Sequence, residues 1–298
     1  MEFDRWLDQA WHDHADDSAG VAARITAEGV ALAASDAHVA ALARLAQHVL
    51  GEHLGRHADG RALLKRLGTH AAAGQASART LRVLDAGLAL CEGDDARAAL
   101  DASERIRATA LAAGTLGAGD ATRAAELLQE ALAAADIASL ADDDPAVRAL
   151  AVTGNNLACA LEEKPERSAA ERSLMLRAAG AARACWARAG TWLEVERAEY
   201  RLARSCTVAG DFDQARRHAR ACLEIVRAHD APPLEVFFGW QALGLVEAAA
   251  GNAAGHAQAL AEADAAFERM ASAERESFAA SRSQLAAAAI AAAGSAAP

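Results

Sequence analysis

Residues that favour pleated strands are scarce: Val, Ile and Thr together number 26 and Phe, Trp and Tyr twelve in a chain of 298. That excludes a sheet of any size, and with it β and α/β folds. Five cysteines, Cys91, Cys159, Cys185, Cys206 and Cys222, are odd in number and contain no Cys-x-x-Cys pair. Neither a disulfide framework nor a zinc knuckle is indicated, and the cysteines read as small core residues in a reducing cytoplasm. No basic and apolar leader opens the chain: Met1-Glu2-Phe3-Asp4-Arg5 is acidic where a signal peptide is basic, so no export is expected. The longest alanine-rich run, Leu285 to Ala293, falls far short of the roughly 20 apolar residues that span a bilayer, so no membrane is implied. A net charge of −11 and a pI near 5.4 argue against nucleic acid as a partner. Lysine is nearly absent, with 28 Arg to 2 Lys.

Alanine fills the space the missing residues leave. Of the 53% hydrophobic content, 88 residues are Ala, which has the highest helix propensity and lets helices approach closely. The composition therefore points to thin-cored, tightly packed helices. Gly, Asp, Ser and Pro punctuate the chain every 15 to 25 residues, with helical periodicity between the marks. The segments expected to be helical are about 2–14, 18–33, 36–54, 58–73, 76–92, 95–117, 120–138, 145–163, 166–189, 191–209, 212–229, 233–250, 253–271 and 274–293. Ser35 before Asp36, Asp144-Pro145 and Pro232-Pro233 mark starts by capping or by proline in the first turn. Val147, Leu150, Ala151, Gly154, Leu157, Ala158 and Leu161 form one apolar stripe along 145–163.

Three turns share a pattern. Leu111-Ala112 precedes Gly119-Asp120 by the same interval that separates Leu202-Ala203 from Gly210-Asp211 and Leu243-Gly244 from Gly251-Asn252. One copy continues as Ala215, Ala219, Cys222 and Leu223, and the last opens with Trp240-x-x-Leu243-Gly244. These residues resemble the tetratricopeptide repeat, with Trp, Leu-Gly and Tyr on a first helix and spaced Ala and aromatic residues on a second. Gly210 to Gly251 spans 41 residues against the roughly 34 of the standard repeat. The unit is thus more similar to the long-helix repeats of bacterial Rap-type regulators and the maltose-regulon activator. The resemblance covers about 105 to 271, with Asn155-Asn156-Leu157-Ala158 as a further first helix. It implies a right-handed α-solenoid of antiparallel helix hairpins: divergent hairpins over 1–94, repeats over 95–273, and a capping helix with a frayed tail over 274–298. Glu199 stands where the family has Trp, and His256 where it has Ala, so unusual packing is expected at both.

Candidate binding residues lie on the helix 191–209. Arg197, Tyr200, Arg201 and Arg204 fall within about 100° of one another, opposite Leu202, Ala203 and Cys206. In the register of the resemblance, Arg197, Arg201 and Asn156 occupy positions similar to part of a carboxylate clamp, whose other positions fall on Thr109 and Ala113. Guanidinium forks hold carboxylates bidentately, and an Asn amide can hold an extended backbone. The alternative is a solvated face whose arginines pair with neighbouring carboxylates. Glu199 projects onto the apolar side and calls for an arginine from an adjacent helix.

Seven of ten histidines lie in the first 70 residues, including His12-x-His14 and His53-x3-His57. The latter spacing can place two imidazoles on one helical face, but His48, Glu52 and Asp59 are loosely placed as third ligands and no His-Glu-x-x-His motif occurs. These histidines read as surface or interhelical groups, with no metal or other cofactor expected. The acidic runs 13–17 and 142–144 lack a facing acidic motif and read as capping and helix-end residues. No phosphate loop or nucleophile elbow is present, so no enzyme is expected. The expected function is a cytoplasmic adaptor holding a protein or peptide in a concave groove through Asn155, Asn156, Arg197, Tyr200, Arg201 and Arg204, with self-association possible. The alternatives are a sensor of a small ligand or signalling peptide and, third, an all-α metal-dependent enzyme using the N-terminal histidines.

Overall fold

A computed structural model describes residues 2–117 and 119–294, and among these every regular element is helical. No helix among them is long and apolar enough to cross a membrane. Two compact units divide the chain, Met1–Thr153 and Gly154–Pro298. The division by packing falls inside one helix. The tail 295–298, expected to be frayed, lies outside the described residues.

The N-terminal unit begins with α1 (Glu2–Asp13) and α2 (Ser18–Arg24). α2 runs through a π-helical turn, Ile25–Gly29, into α3 (Val30–Leu32). α4 (Asp36–Gln47) runs into a second π-helical turn, His48–His53, and α5 (His57–Gly68), α6 (Gln75–Cys91), α7 (Ala102–Leu116) and α8 (Ala121–Ala138) follow. Its core joins Phe3, Ile25, Val39, Leu42, Leu45, Leu64, Leu67 and Leu88. Ser35 caps α4 through the His38 amide at 3.2 Å. Asp36 has a longer reach: its carboxylate accepts from the amides of Gly74, Ala76 and Ser77 at 2.7 to 3.0 Å. It thus caps α6 in place of Gly74, which has no side chain to do so, and the Ser77 hydroxyl, with these amides, holds its pKa below the usual carboxylate range.

Helix α9 (Pro145–Glu163) crosses the division. In the C-terminal unit follow α10 (Ala169–Ala189), α11 (Trp192–Ala209), α12 (Phe212–Ala228), α13 (Pro233–Ala249), α14 (Ala253–Phe267) and α15 (Ser272–Gly294). From α10 onward each helix packs on the next, and α11 also meets α13 while α13 meets α15. Turns of a few residues join these packed neighbours. Phe237, Phe267, Met270 and Leu285 form an apolar cluster with Phe238 and Phe278 against it.

Two expected helices start later than periodicity indicates. The segment from 95 becomes helical only at Ala102, because Asp101 and Glu104 form a reciprocal capping box and Arg97 is drawn into contacts with Asp95. The segment from 166 starts at Ala169, where Ser168 and Glu171 form the same device. The helix expected over 58–73 stops at Gly68, and that expected over 253–271 at Phe267.

The repeated turns have a common construction. Asp120, Asp211 and Asn252 are the N-caps of α8, α12 and α14, each accepting from the amide three residues on at 2.9 to 3.1 Å. Gly210 and Gly251 are left-handed, with φ of 81° and 73°, which glycine adopts without the clash a Cβ brings. The amides of Asp211 and Asn252 return to the carbonyls of Cys206 and Glu247, whereas Asp120 closes one residue tighter, on Leu116.

Helix crossings are tight enough to exclude a methyl group. A Cβ on Gly154 would stand 2.5 Å from the Ala178 carbonyl oxygen and 3.1 Å from the Ala182 Cβ, whereas one on Gly180 would meet nothing within 4 Å. Gly154→Val is therefore expected to lower stability by about 2–3 kcal/mol through overpacking. Gly180→Ala is expected to raise it by roughly 0.5–1 kcal/mol through helix propensity. Urea unfolding followed by circular dichroism checks both, and equal effects at the two glycines would contradict the packing described.

Candidate functional site

Helix α11 carries the arginines singled out by the sequence, and α9 carries the asparagines. Thr191 and Glu194 cap α11 reciprocally, which fixes where its faces point. Leu202, Ala203 and Cys206 are buried, as their side of the helix requires.

On the opposite side the arginines meet glutamates on neighbouring helices. Arg201 Nη1 donates to Glu162 Oε2 on α9 at 2.5 Å, and Ser205 Oγ donates to Oε1 of the same carboxylate at 2.5 Å. This knot is nearly closed to solvent, since the Glu162 side chain is 4% exposed and that of Arg201 19%. Arg197 Nη2 donates to Glu235 Oε1 on α13 at 2.6 Å, but its side chain remains 58% exposed. Arg204 differs from both. Its Nη1 donates to the Tyr200 hydroxyl at 3.0 Å, its guanidinium lies 5.9 Å from that ring's centroid, and no carboxylate among the described residues pairs with it. The Tyr200 hydroxyl donates in turn to Gln241 Oε1 on α13 at 2.9 Å, and Gln241 Nε2 donates to the Ser281 carbonyl on α15 at 2.8 Å. Asn155 Nδ2 donates to Asn156 Oδ1 at 3.1 Å, and Asn156 is exposed.

The face therefore has two parts. Arg201, with Glu162 and Ser205, is an internal strut, as the solvated-or-paired alternative describes for an arginine. Arg204, Arg197 and Asn156 keep donors toward solvent. The partners Glu162, Glu235 and Gln241 escape a reading of the sequence, because which residues of separate helices meet depends on their relative register.

Glu199 meets the arginine its position calls for. Arg183 Nε on α10 and His218 Nδ1 on α12 reach its two oxygens at 2.6 Å each. Burial opposes ionisation, but His218 and Arg183 together hold the carboxyl below its ordinary pKa. His256, in the slot where alanine was expected, is buried, with Nδ1 against the Gly244 carbonyl at 2.9 Å and Nε2 without a partner among the described residues. Burial pushes the Cys91 thiol up to about 12 and the Cys206 thiol up to about 11.

Glu196 is the exception among the buried carboxylates. Only 1% exposed, it has no hydrogen-bond partner for either oxygen among the described residues. Burial first, and then the negative charge of Glu235, push its pKa up from 4.5 to about 8. Between those two values the folded chain holds a proton that the unfolded chain has lost, so stability falls as pH rises through that window. The shift corresponds to roughly 3 kcal/mol lost between the unfolded value and neutrality. Glu196→Gln is expected to remove most of that slope and to melt higher than the parent at pH 8 but not at pH 4.5. Thermal melts across this range provide the check.

In the N-terminal unit, the sidechains of His14, His48 and His53 come together, a grouping the histidine spacing did not suggest; His53 is joined not to His57 but to His48. Desolvation, with His48 and His14 adding to it, lowers the His53 pKa. Comparison with protein-family models, with curated proteins and with solved structures returns no match.

Proposed function

We propose that the chain is a non-catalytic helical-hairpin scaffold of tetratricopeptide type, and that its C-terminal unit binds an acidic protein segment along the α11 face. The observation that carries this reading is Arg204, a half-buried guanidinium held by a tyrosine hydroxyl and by no carboxylate among the described residues. Arg197 lies seven residues, or two turns, earlier on the same helix, about 10 Å along its axis. Two carboxylates three residues apart on an extended polyproline-like segment are separated by about 9 Å and match that spacing. Tyr200 adds amphipathic contact area, and Asn156 an exposed amide for the partner's backbone.

The shared turn construction and the meeting of α11 with α13 and of α13 with α15 support a right-handed solenoid in which first helices line one surface. Five free cysteines, with burial raising the pKa of several, support a reducing cytoplasm and speak against thiol catalysis.

The test is capture of partners from native cytosol on the parent protein and on Arg204→Glu, with mass spectrometry as the readout. Arg201 is left in place because its removal would strand the buried Glu162 charge. Loss from the variant of a defined partner bearing closely spaced carboxylates is expected, with at least about 10-fold weaker binding on titration. Equal retention by both proteins, or capture by neither, overturns the reading.

A further inference from the structure

Three histidines of the N-terminal unit are arranged as ligands. One nitrogen from each of His14, His48 and His53 lies within 4.8 Å of the others, and the ring centroids are 4.7 to 5.0 Å apart. The Nε2 atoms of His48 and His53 approach to 3.1 Å. Two imidazole nitrogens bound to one tetrahedral zinc at ~2.0–2.1 Å stand about 3.3 Å apart, so this pair is already at ligand spacing. His14, within 4.8 Å of both, needs to move inward by at most about 1.5 Å to complete the set.

The outer contacts point the same way. His48 Nδ1 lies 2.7 Å from Glu52 Oε2, and His14 Nδ1 lies 2.6 Å from the Trp11 carbonyl oxygen. Both acceptors require the proton on Nδ1, which leaves the Nε2 lone pairs directed elsewhere. A ligand histidine tied through its other nitrogen to a carboxylate or a carbonyl is the usual support of a metal centre. Gln47 Nε2 donates to the remaining Glu52 oxygen at 3.2 Å, so the supporting carboxylate is itself held. His14 and His48 are half-buried and His53 is exposed, which gives an ion a route in and leaves one side to solvent.

The backbone explains why these two residues of one helix meet. Five residues advance 140° beyond a full turn in an α-helix, so the side chains at 48 and 53 would diverge. The π-helical turn His48–His53 takes one more residue per hydrogen-bonded ring and brings them onto one face. Such turns inside α-helices are frequent at functional sites.

We propose that His14, His48 and His53 form a binding site for one divalent cation of the zinc class, with a fourth position left to water. Three imidazole nitrogens and an open position suit zinc, and the binding is independent of the α11 face. In it the His53 ring carries its proton on Nδ1 so that Nε2 is free to coordinate.

The test uses tag-free, chelator-stripped full-length protein titrated with Zn²⁺ by calorimetry and with Co²⁺ by visible absorption. One equivalent of zinc and a tetrahedral cobalt spectrum are expected. His48→Gln and His53→Gln are each expected to weaken binding at least about 100-fold, and Glu52→Gln about 10- to 100-fold through loss of support. His12→Gln and His57→Gln are expected to leave it unchanged. Far-UV circular dichroism confirms folding, and the exposed His53→Gln is decisive if the half-buried His48→Gln unfolds. No stoichiometric zinc binding by the parent, or equal affinity after all three histidines are changed to Gln, overturns the proposal.

Discussion

Closeness of the helices governs this structure. Where Gly154 leaves no room for a methyl group against the Ala178 carbonyl, and alanines such as Ala179 and Ala182 face the crossings, backbones approach within reach of short-range dispersion but with little apolar surface to remove from water. A core assembled this way has dense contact and modest hydrophobic gain. Large side chains are used sparingly, in the Phe3 to Leu88 cluster of one unit and the Phe237 cluster of the other.

Charged residues then supply the specificity that a thin core cannot. Glu104, Glu199, Glu235 and Glu247 are all buried, and each receives an arginine from another helix: Arg82, Arg183, Arg197 and Arg216. Arg216 holds Glu247 as a fork, Nε and Nη2 each donating to one oxygen at 3.0 Å, and a forked pair accepts only a narrow range of helix positions. The preference for arginine over lysine follows the same logic, since a planar fork with several donors can satisfy a buried carboxylate that a single ammonium serves less well. Glu196 lacks such a partner among the described residues, and burial raises its pKa instead.

Legibility of the fold in the sequence tracks how local each determinant is. Capping residues, glycine turns and proline starts act within a few residues of themselves, and Asp120, Asp211 and Asn252 were readable for that reason. The late start of α7 depended on a capping box that periodicity alone does not weigh, since Ala96, Ala98 and Leu100 continue the apolar pattern up to it. Arg201 and Glu162 were each visible, but their pairing depends on helix register. The histidine grouping was hidden for a different reason: an i, i+4 rule selects His53 with His57, and only a π-helical turn makes i, i+5 the neighbouring pair.

The bond from Gln241 to α15 ends on a main-chain carbonyl, that of residue 281. Every amino acid offers that same acceptor, so this anchor of the last helix survives any substitution at 281, whereas Leu285 and Phe278 hold the helix through side chains that a substitution can remove.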